Sequence, residues 1–356
     1  MHKHNINFVT TPSEDDVRIA LQYISASCER DYWAKMGMAV KSEFGDSGFS
    51  LWHEWSQSSD SYDKASCLST WRSIRKSGKG KTITIATLFA EAAQRGWKPE
   101  KTELSESQQR ERLRVAEARR RQRELEEVRE KERSERWREV YRDAFESIWP
   151  ELLQPFTKSE YIKRKGIKGR SLSSPLHPFV MLTDIKKLKI SVITGRENIH
   201  RIFNLEEYKN KDLYSVRYFK PGVAVVPLRD IDGRIYNAQL IQENGRKYFF
   251  AEAPTSGLFH LIGEPEQGHV MAEAEGFATG ETIHLATGWP VFVAFYAHNL
   301  LSVARKIKAH YQPSKLIVCG DDDSHSKVNA GRKAANEVSK ELGAIPVFPN
   351  FKRKQA

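Results

Sequence analysis

The stretch from residue 105 to residue 147 constrains this chain most, because it contains no proline and no glycine and is dominated by arginine, glutamate and glutamine. Acidic and basic side chains recur three and four residues apart, as Glu126 and Arg129 do, and this spacing stabilises a solvated helix. A single helix of this length would span roughly 65 Å. The pattern therefore predicts one long helix that connects two other regions of the chain.

The apolar positions of this helix are too sparse for a coiled coil, because Leu113, Val115, Leu125 and Val128 sustain no heptad. We therefore predict a solvated spacer arm, and an arm that also touches nucleic acid is the alternative. Apolar residues return at its end, which predicts that this end docks on the region that follows. These residues are Trp137, Tyr141, Phe145, Ile148 and Trp149.

The region before the long helix, residues 8–99, predicts a compact and mostly helical domain. Ser13 is a suitable N-cap, and the three acidic residues after it favour the positive end of a helix dipole. Apolar residues then follow at helical spacing. The predicted helices begin after Ser13 and continue with residues 31–40, 49–55, 63–74 and 86–95.

The region after the long helix changes character near residue 266. Residues 150–265 predict an α+β subdomain with an antiparallel meander, whose strands cover 223–228, 235–241 and 247–251 and are joined by Asp-Gly and Asn-Gly turns. Residues 266–356 alternate strands with helices, which indicates βαβ units and a mostly parallel sheet. We thus predict four parts, namely 8–99, a linker at 100–149, 150–265 and 266–356.

The net charge of +11 favours a polyanionic partner such as nucleic acid, because binding to phosphates releases condensed counterions. A basic protein without such a partner is the alternative. Cys28, Cys67 and Cys319 form no CxxC pair, which argues against a zinc ribbon and favours free thiols. No run approaches the roughly 18 apolar residues of a membrane span, and no signal-peptide core is visible. We therefore expect a cytoplasmic protein.

Carboxylates follow two of the predicted parallel strands. Glu275 comes directly after one strand, and Asp321, Asp322 and Asp323 come soon after another. Ligands bind at the carboxyl edge of such sheets. Alternate side chains of an extended segment share a face, so Asp321 and Asp323 should point together while Asp322 points away. Three oxygen ligands suit Mg²⁺ or Mn²⁺, whereas a solvated acidic loop is the alternative.

Two segments here resemble the motifs of Toprim domains. Residues 270–276, followed by Gly280-Glu281-Thr282, are similar to the first motif in phage and plasmid primases. Residues 317–323, with Gly331-Arg332-Lys333 downstream, are similar to the DxD motif and its following helix. The resemblance covers residues 268–350. It implies an α/β Toprim domain in which Glu275 is the acid/base or metal-linked group, and Asp321 and Asp323 bind the metal.

Two departures from the Toprim pattern leave an alternative open. Residues 324–330 stand as an insertion before the glycine that follows the DxD motif. The further acidic motif that many relatives carry is missing near the end of the sequence. A Toprim domain that binds DNA without catalysis is therefore one alternative.

The segments upstream resemble the basic subdomain that precedes Toprim in DnaG-like primases. The similar segments are residues 161–167, 226–230 and 245–249. The resemblance implies that Arg229, Arg246 and Lys247 contact nucleotide and template. The alternative is that Arg246 and Lys247 are ordinary residues of a hairpin turn.

The first region resembles the PriCT helical module of the second type over residues 12–97. The resemblance rests on its tryptophan spacing and on the segment Leu51-Trp52-His53-Glu54-Trp55-Ser56. It implies help in template or partner binding, and we expect the tryptophans to be core residues. Gly78-Lys79-Gly80-Lys81-Thr82 is not a P-loop, because Arg75 stands where the motif requires glycine.

Together these features predict a DNA primase or primase-like nucleotidyltransferase of a phage, prophage or plasmid. It would use Mg²⁺ or Mn²⁺, nucleoside triphosphates and a single-stranded DNA template, with a separate replicative helicase as partner. A Toprim nuclease that cuts phosphodiesters is one alternative. A non-catalytic DNA-binding replication or defence factor is the other.

Overall fold

The computed structural model describes residues 12–74, 83–99, 105–156, 159–169, 171–322 and 329–349. The chain divides into two compact units, Met1–Glu130 and Lys131–Ala356. A mixed helical N-terminal region is followed by α/β sheets, as the sequence predicted. The segment Gly78-Lys79-Gly80-Lys81-Thr82 and the aspartate Asp323 lie outside the described residues.

The first unit contains the five predicted helices and the first part of the long one. The five are α1 (Glu14–Gln22), α2 (Arg30–Phe44), α3 (Phe49–Ser56), α4 (Lys64–Ser73) and α5 (Ile85–Ala93), with a 3-10 turn at Gly45–Gly48. Ser13 caps α1 as predicted, since its Oγ accepts a hydrogen bond from Asp16 N at 3.2 Å. Asp16 Oδ2 accepts one from Ser13 N at 2.7 Å, which completes a capping box.

Tryptophans form the centre of this unit, which confirms that they are core residues. Trp52 is fully buried and lies between the rings of Trp33 and Trp71, at centroid distances of 4.3 and 5.5 Å. The indole N–H groups are satisfied internally, because Trp52 donates to Trp33 O and Trp55 donates to Ile24 O. The enclosed ring of Trp52 therefore has no exposed face for a ligand.

The long helix, α6 (Glu106–Leu152), is continuous as predicted and extends through Pro150 beyond the predicted end. The prediction of a solvated spacer is wrong for part of it, because its arginines pack on the first unit. Arg123 Nη1 donates to Ser42 O at 2.5 Å, and the Arg119 guanidinium lies 4.8 Å from the centre of the Phe44 ring. Long arginine side chains can lie along a neighbouring surface in this way, which charge spacing alone does not reveal.

The last part of α6 belongs to the second unit and confirms the predicted docking. Trp137, Tyr141, Phe145 and Ile148 are all buried there. Tyr141 and Phe145 contact the ring of Phe250 at centroid distances of 5.7 and 5.5 Å. This part of the helix therefore supplies one wall of an aromatic core.

The described residues of the second unit form three sheets, of which two are antiparallel. The first has the order β1-β2-β6-β7-β8, formed by β1 (Leu153–Pro155), β2 (Ser173–Pro175), β6 (Ala224–Arg229), β7 (Ile235–Ile241) and β8 (Lys247–Tyr248). The predicted meander is thus confirmed, and β1 and β2 extend it. Helix α7 (Glu160–Lys165) follows β1 and ends at Gly166, whose φ of +65° is the left-handed cap that favours glycine.

The second sheet was not predicted. It has the order β4-β3-β5, formed by β3 (Phe179–Asp184), β4 (Lys189–Thr194) and β5 (Tyr214–Phe219). Helix α8 (Arg196–Asn204) and a 3-10 turn at Glu206–Lys209 connect β4 to β5. Helix α8 covers one face of the sheet through Ile199 and Ile202.

The third sheet positions the carboxylates. Its order is β13-β12-β10-β11-β9, with β9 (His260–Ile262), β10 (Val270–Ala274), β11 (Val291–Val293), β12 (Lys315–Cys319) and β13 (Ile345–Val347). Strands β10 to β13 are parallel, as predicted, and β9 pairs antiparallel with β11 at one edge. The connecting helices are α9 (Phe277–Thr287), α10 (Leu300–Tyr311) and α11 (Ala330–Leu342), with a 3-10 turn at Ala297–Asn299.

Candidate functional site

Glu275 and Asp321 meet at the carboxyl edge of the parallel sheet. Glu275 follows β10 and Asp321 lies two residues beyond β12, and the register pairs Ala274 with Cys319. The contact is direct, because Asp321 N donates to Glu275 Oε1 at 3.2 Å. The structure therefore brings the Glu275 carboxylate into contact with the backbone of Asp321.

Gly331 at the start of α11 makes room for this pair. A Cβ atom at this position would overlap Glu275 Oε1 and would lie 2.5 Å from Asp321 O. The glycine is thus required by close approach, since real Cβ atoms do not come so near to other heavy atoms. The helix start and the two strand ends enclose the Glu275 carboxylate on this side.

Asp322 turns to different partners. It accepts hydrogen bonds from Asn329 Nδ2 and from Arg332 Nη2, the latter at 2.9 Å. The hydrogen bond from Arg332 holds the pKa of Asp322 below its usual range. This carboxylate anchors the start of α11.

Among the described residues, no group of three histidine, cysteine or acidic side chains is placed to hold a metal ion. The predicted third ligand, Asp323, lies outside the described residues.

Lys247 of β8 lies within electrostatic range of Asp321. Partial burial lowers the pKa of its ammonium group and repulsion by Lys165 lowers it further, whereas attraction by Asp321 opposes both. The antiparallel sheet thus brings a cation to the acidic edge of the parallel sheet. Lys165, at the end of α7, was not predicted as a site residue, although it belongs to the basic run Lys163-Arg164-Lys165.

Arg246 stays within its turn in the contacts that the structure shows. Its N–H donates to Asn244 Oδ1 at 3.0 Å, and its carbonyl accepts from Gln242 N at 2.9 Å. No described contact connects its side chain with Glu275 or Asp321. The neighbouring Arg164 reaches the same turn, because its Nη2 donates to Glu243 O at 3.1 Å.

Arg229 is held inside its own hairpin. Its Nη1 donates to Gly233 O at 2.8 Å, and its backbone bridges to Phe259. Burial lowers the pKa of the guanidinium, and its charge in turn acts on His260. These contacts connect the antiparallel sheet with β9 of the parallel sheet.

Two buried polar side chains that sequence reasoning missed hold the segment after α7 against the parallel sheet. Glu281 Oε1 accepts a hydrogen bond from Gly169 N at 3.1 Å, and His260 Nε2 lies 3.0 Å from Ser171 Oγ. Burial, then the charge of Arg229, lowers the pKa of His260 to about 3, so the imidazole is neutral. Glu281 stands in the quoted segment Gly280-Glu281-Thr282, which was the one available signal.

The family comparison matches the first unit. Residues 17–92 match the model "Primase C terminal 2 (PriCT-2)". The helical region is similar to PriCT-2 modules. The match confirms the resemblance read from the tryptophan spacing.

Two curated relatives from Escherichia coli, both named DNA primase TraC, are 33% and 31% identical over 133 residues. The match covers 35% of this chain but only 12% and 9% of the relatives, so the chain spans a small part of their length. These relatives confirm the predicted resemblance to plasmid-type primases.

Among solved structures, the DnaG primase catalytic domain bound to ssDNA has a TM-score of 0.35 at 14% identity, covering 60% of this chain and 71% of that one. The primase fragment of the bacteriophage T7 primase-helicase protein has a TM-score of 0.29 at 18% identity, covering 36% of this chain and 54% of that one.

In the part of the chain that the structure describes, no helix combines the length and the apolar character that a membrane span requires.

Proposed function

We propose that this chain is a DNA primase that joins nucleotides on a single-stranded DNA template with the help of Mg²⁺ or Mn²⁺. The observation that carries the proposal is the meeting of Glu275 with Asp321 at one sheet edge, with Lys247 from a second sheet in range of Asp321. The named relatives support primer synthesis rather than another use of an acidic centre. The proposed arrangement is a Toprim-type domain at 266–356 behind a basic subdomain at 150–265. A PriCT-like module at 8–99 and a linker at 100–149 complete it.

The residues present fit a divalent metal. Carboxylate oxygens are the ligands that Mg²⁺ and Mn²⁺ prefer, and Gly331 keeps the space beside Glu275 Oε1 clear of a side chain. We assign Glu275, Asp321 and Asp323 as the groups that would hold the ion. When bound, it would neutralise phosphate charge and favour attack by a primer hydroxyl.

In this proposal, the cationic residues bind phosphate groups of the substrate and the template. Lys247, which lies within electrostatic range of both Lys165 and Asp321, would offer charge to a triphosphate together with Lys165. Arg246 stands on the adjoining turn, where it would contact the template backbone. Arg229, fixed in its hairpin, would set the position of that surface. A separate helicase remains a predicted partner.

Primer synthesis tests the proposal directly. The protein is incubated with single-stranded DNA, labelled ribonucleotides or deoxyribonucleotides, and Mg²⁺ or Mn²⁺. We expect short labelled oligomers, and a loss of about 100-fold or more in Asp321→Ala, because the site then lacks a charge-stabilising ligand. The matched control is Asp322→Asn, which keeps the neighbouring carboxyl shape and is expected to retain synthesis, since Asp322 contacts Asn329 and Arg332.

Other outcomes would contradict the proposal in different ways. Shortened template that depends on Asp321 would indicate a nuclease. Template binding without any product in the wild type or in either variant would indicate a non-catalytic binding factor.

A further inference from the structure

Aromatic residues lie beside the acidic pair, on the other side of β10. Strand β11 pairs in parallel with β10, and Ala294 N donates to Ala274 O at 2.8 Å. The segment that leaves β11 therefore starts at the level of Glu275, on the neighbouring strand. It carries Phe295, Tyr296 and His298.

The rings of Tyr296 and His298 form a column with the ring of Phe249. The Tyr296 ring lies 5.0 Å from that of Phe249 at an interplanar angle of 38°, and 5.0 Å from that of His298 at 21°. Phe249 follows Lys247 by two residues in the chain, and Lys247 lies within electrostatic range of Asp321. His298 is solvent-exposed and forms the open end.

The column is held in place by an unusual backbone. Phe295 has a φ of +68°, a conformation that bulky residues rarely adopt and that persists only where the surroundings enforce it. The buried Asn299 enforces it here. Its Oδ1 accepts from Gly257 N at 2.7 Å, and its Nδ2 donates to Leu258 O at 2.9 Å and Ala294 O at 2.8 Å. The rings are therefore positioned before any ligand binds.

Packing does not explain the open end of this column. Phe292 in strand β11 is fully buried, whereas Tyr296 is half-buried and His298 is exposed. A flat ring with one free face suits a planar aromatic ligand. The nearby Lys247 and carboxylates suit the phosphates of the same ligand. A nucleotide combines both features.

We propose that Phe249, Tyr296 and His298 form a nucleobase platform, in which the base stacks on the open face of His298. The inference rests on the proposed function, because it places the base of a nucleotide whose phosphates lie at the acidic centre. The base belongs either to a nucleoside triphosphate or to the nucleic-acid strand.

Base-dependent binding tests the platform without any turnover. Fluorescence quenching is measured in Mg²⁺ with 2-aminopurine riboside triphosphate and with oligothymidylate that carries one 2-aminopurine. Inorganic tripolyphosphate is the base-free probe, with calorimetry as its readout. Because stacking of one base contributes roughly a factor of ten, His298→Ala is expected to bind a base-bearing probe about 10-fold more weakly and to lose the quenching. His298→Phe, which keeps a ring, is expected to retain both.

The matched control is His310→Ala. His310 is also exposed and also touches a tyrosine ring, at 4.6 Å from Tyr311, but it stands at the end of α10, away from the carboxyl edge. We expect this variant to bind every probe as the wild type does, and tripolyphosphate to bind equally to all variants.

The possible results distinguish the two sources of the base. They also distinguish failure of the nucleobase platform from failure of the proposed primase function. If His298→Ala weakens binding of the triphosphate probe alone, the platform holds the base of the incoming nucleotide. If it weakens binding of the oligonucleotide alone, the platform holds a base of the strand. The platform is ruled out if His298→Ala binds both base-bearing probes as tightly as the wild type does. It is also ruled out if this variant binds tripolyphosphate as weakly as it binds the base-bearing probes, or if the wild-type protein does not quench 2-aminopurine fluorescence. Primer synthesis is scored separately, so its failure leaves this result readable.

Discussion

The helical unit and the edge of the parallel sheet use the same residue types in opposite ways. In the helical unit Trp52 is fully buried between two other tryptophans, and its N–H is satisfied by Trp33 O. At the sheet edge the ring column ends in the exposed His298. Rings that are enclosed on all sides stabilise a fold, whereas a ring with a free face can take up a ligand.

Carboxylates show the same contrast. Glu91 in the helical unit accepts hydrogen bonds from Tyr32, Lys35 and Arg95. In the sheet unit the buried Glu273 has no hydrogen-bond partner on either oxygen among the residues that the structure describes, and burial raises its pKa well above the usual range. Unsatisfied polar groups are costly, so folds retain them most readily where function requires them. This contrast is consistent with the proposed site in the second unit.

The largest effect is expected for Trp52→Ala. Removing a large ring from the middle of a packed core should lower the free energy of unfolding by about 3–5 kcal/mol, because a cavity replaces its contacts. Urea denaturation followed by far-UV circular dichroism measures this change. A loss below about 1 kcal/mol would show that the tryptophans are not the core that the contrast requires.

A glycine in each unit sharpens the comparison. A Cβ at Gly331 would overlap Glu275 Oε1, and one at Gly37 would lie 2.8 Å from Trp52 Cε2. Both Gly331→Ala and Gly37→Ala should cost about 1–3 kcal/mol of stability through overpacking. Only Gly331→Ala should also reduce primer synthesis per folded molecule. Equal activity losses in the two variants would contradict the assignment of the site to the sheet edge.

The smallest expected effect concerns Glu91 and pH. Burial alone would raise the pKa of Glu91, but hydrogen bonds from Lys35 and Tyr32 lower it to about 2. Since the folded-state pKa is below the unfolded value, the stabilisation is present above about pH 4.5 and is lost as the pH falls towards 2. Between pH 5 and pH 3 the wild type should lose on the order of 1 kcal/mol relative to Glu91→Gln.

Urea titrations of both proteins at the two pH values measure that difference. Parallel losses in both proteins would mean that Glu91 is not held as the structure indicates.

Local patterns were predicted well. The Ser13 N-cap and the helical spacing of apolar residues define α1, because caps and helix faces depend on residues three or four positions apart. The alternation of strands and helices after residue 268 predicted the parallel strands, and strand ends placed Glu275 near Asp321. These features depend on short segments whose side-chain period is visible in the sequence.

Contacts between distant segments were not predicted. The sheet of β3, β4 and β5 was missed, and the packing of Arg119 and Arg123 contradicted a free spacer. Lys165, His260 and Glu281 gained their importance from partners elsewhere in the chain, such as Gly169, which is 112 residues from Glu281. No periodicity in the sequence encodes such pairings.

The sequence by itself determined the helical and parallel elements and the strand ends that carry the carboxylates. Only the tertiary structure decided that Asp322 anchors α11, that Lys247 comes within electrostatic range of Asp321, and that the rings of Phe249, Tyr296 and His298 pack together with His298 exposed. The physical reason is range. Backbone hydrogen bonding and side-chain periodicity act over a few residues, whereas a site forms where sheet register and packing bring separate strands to one edge.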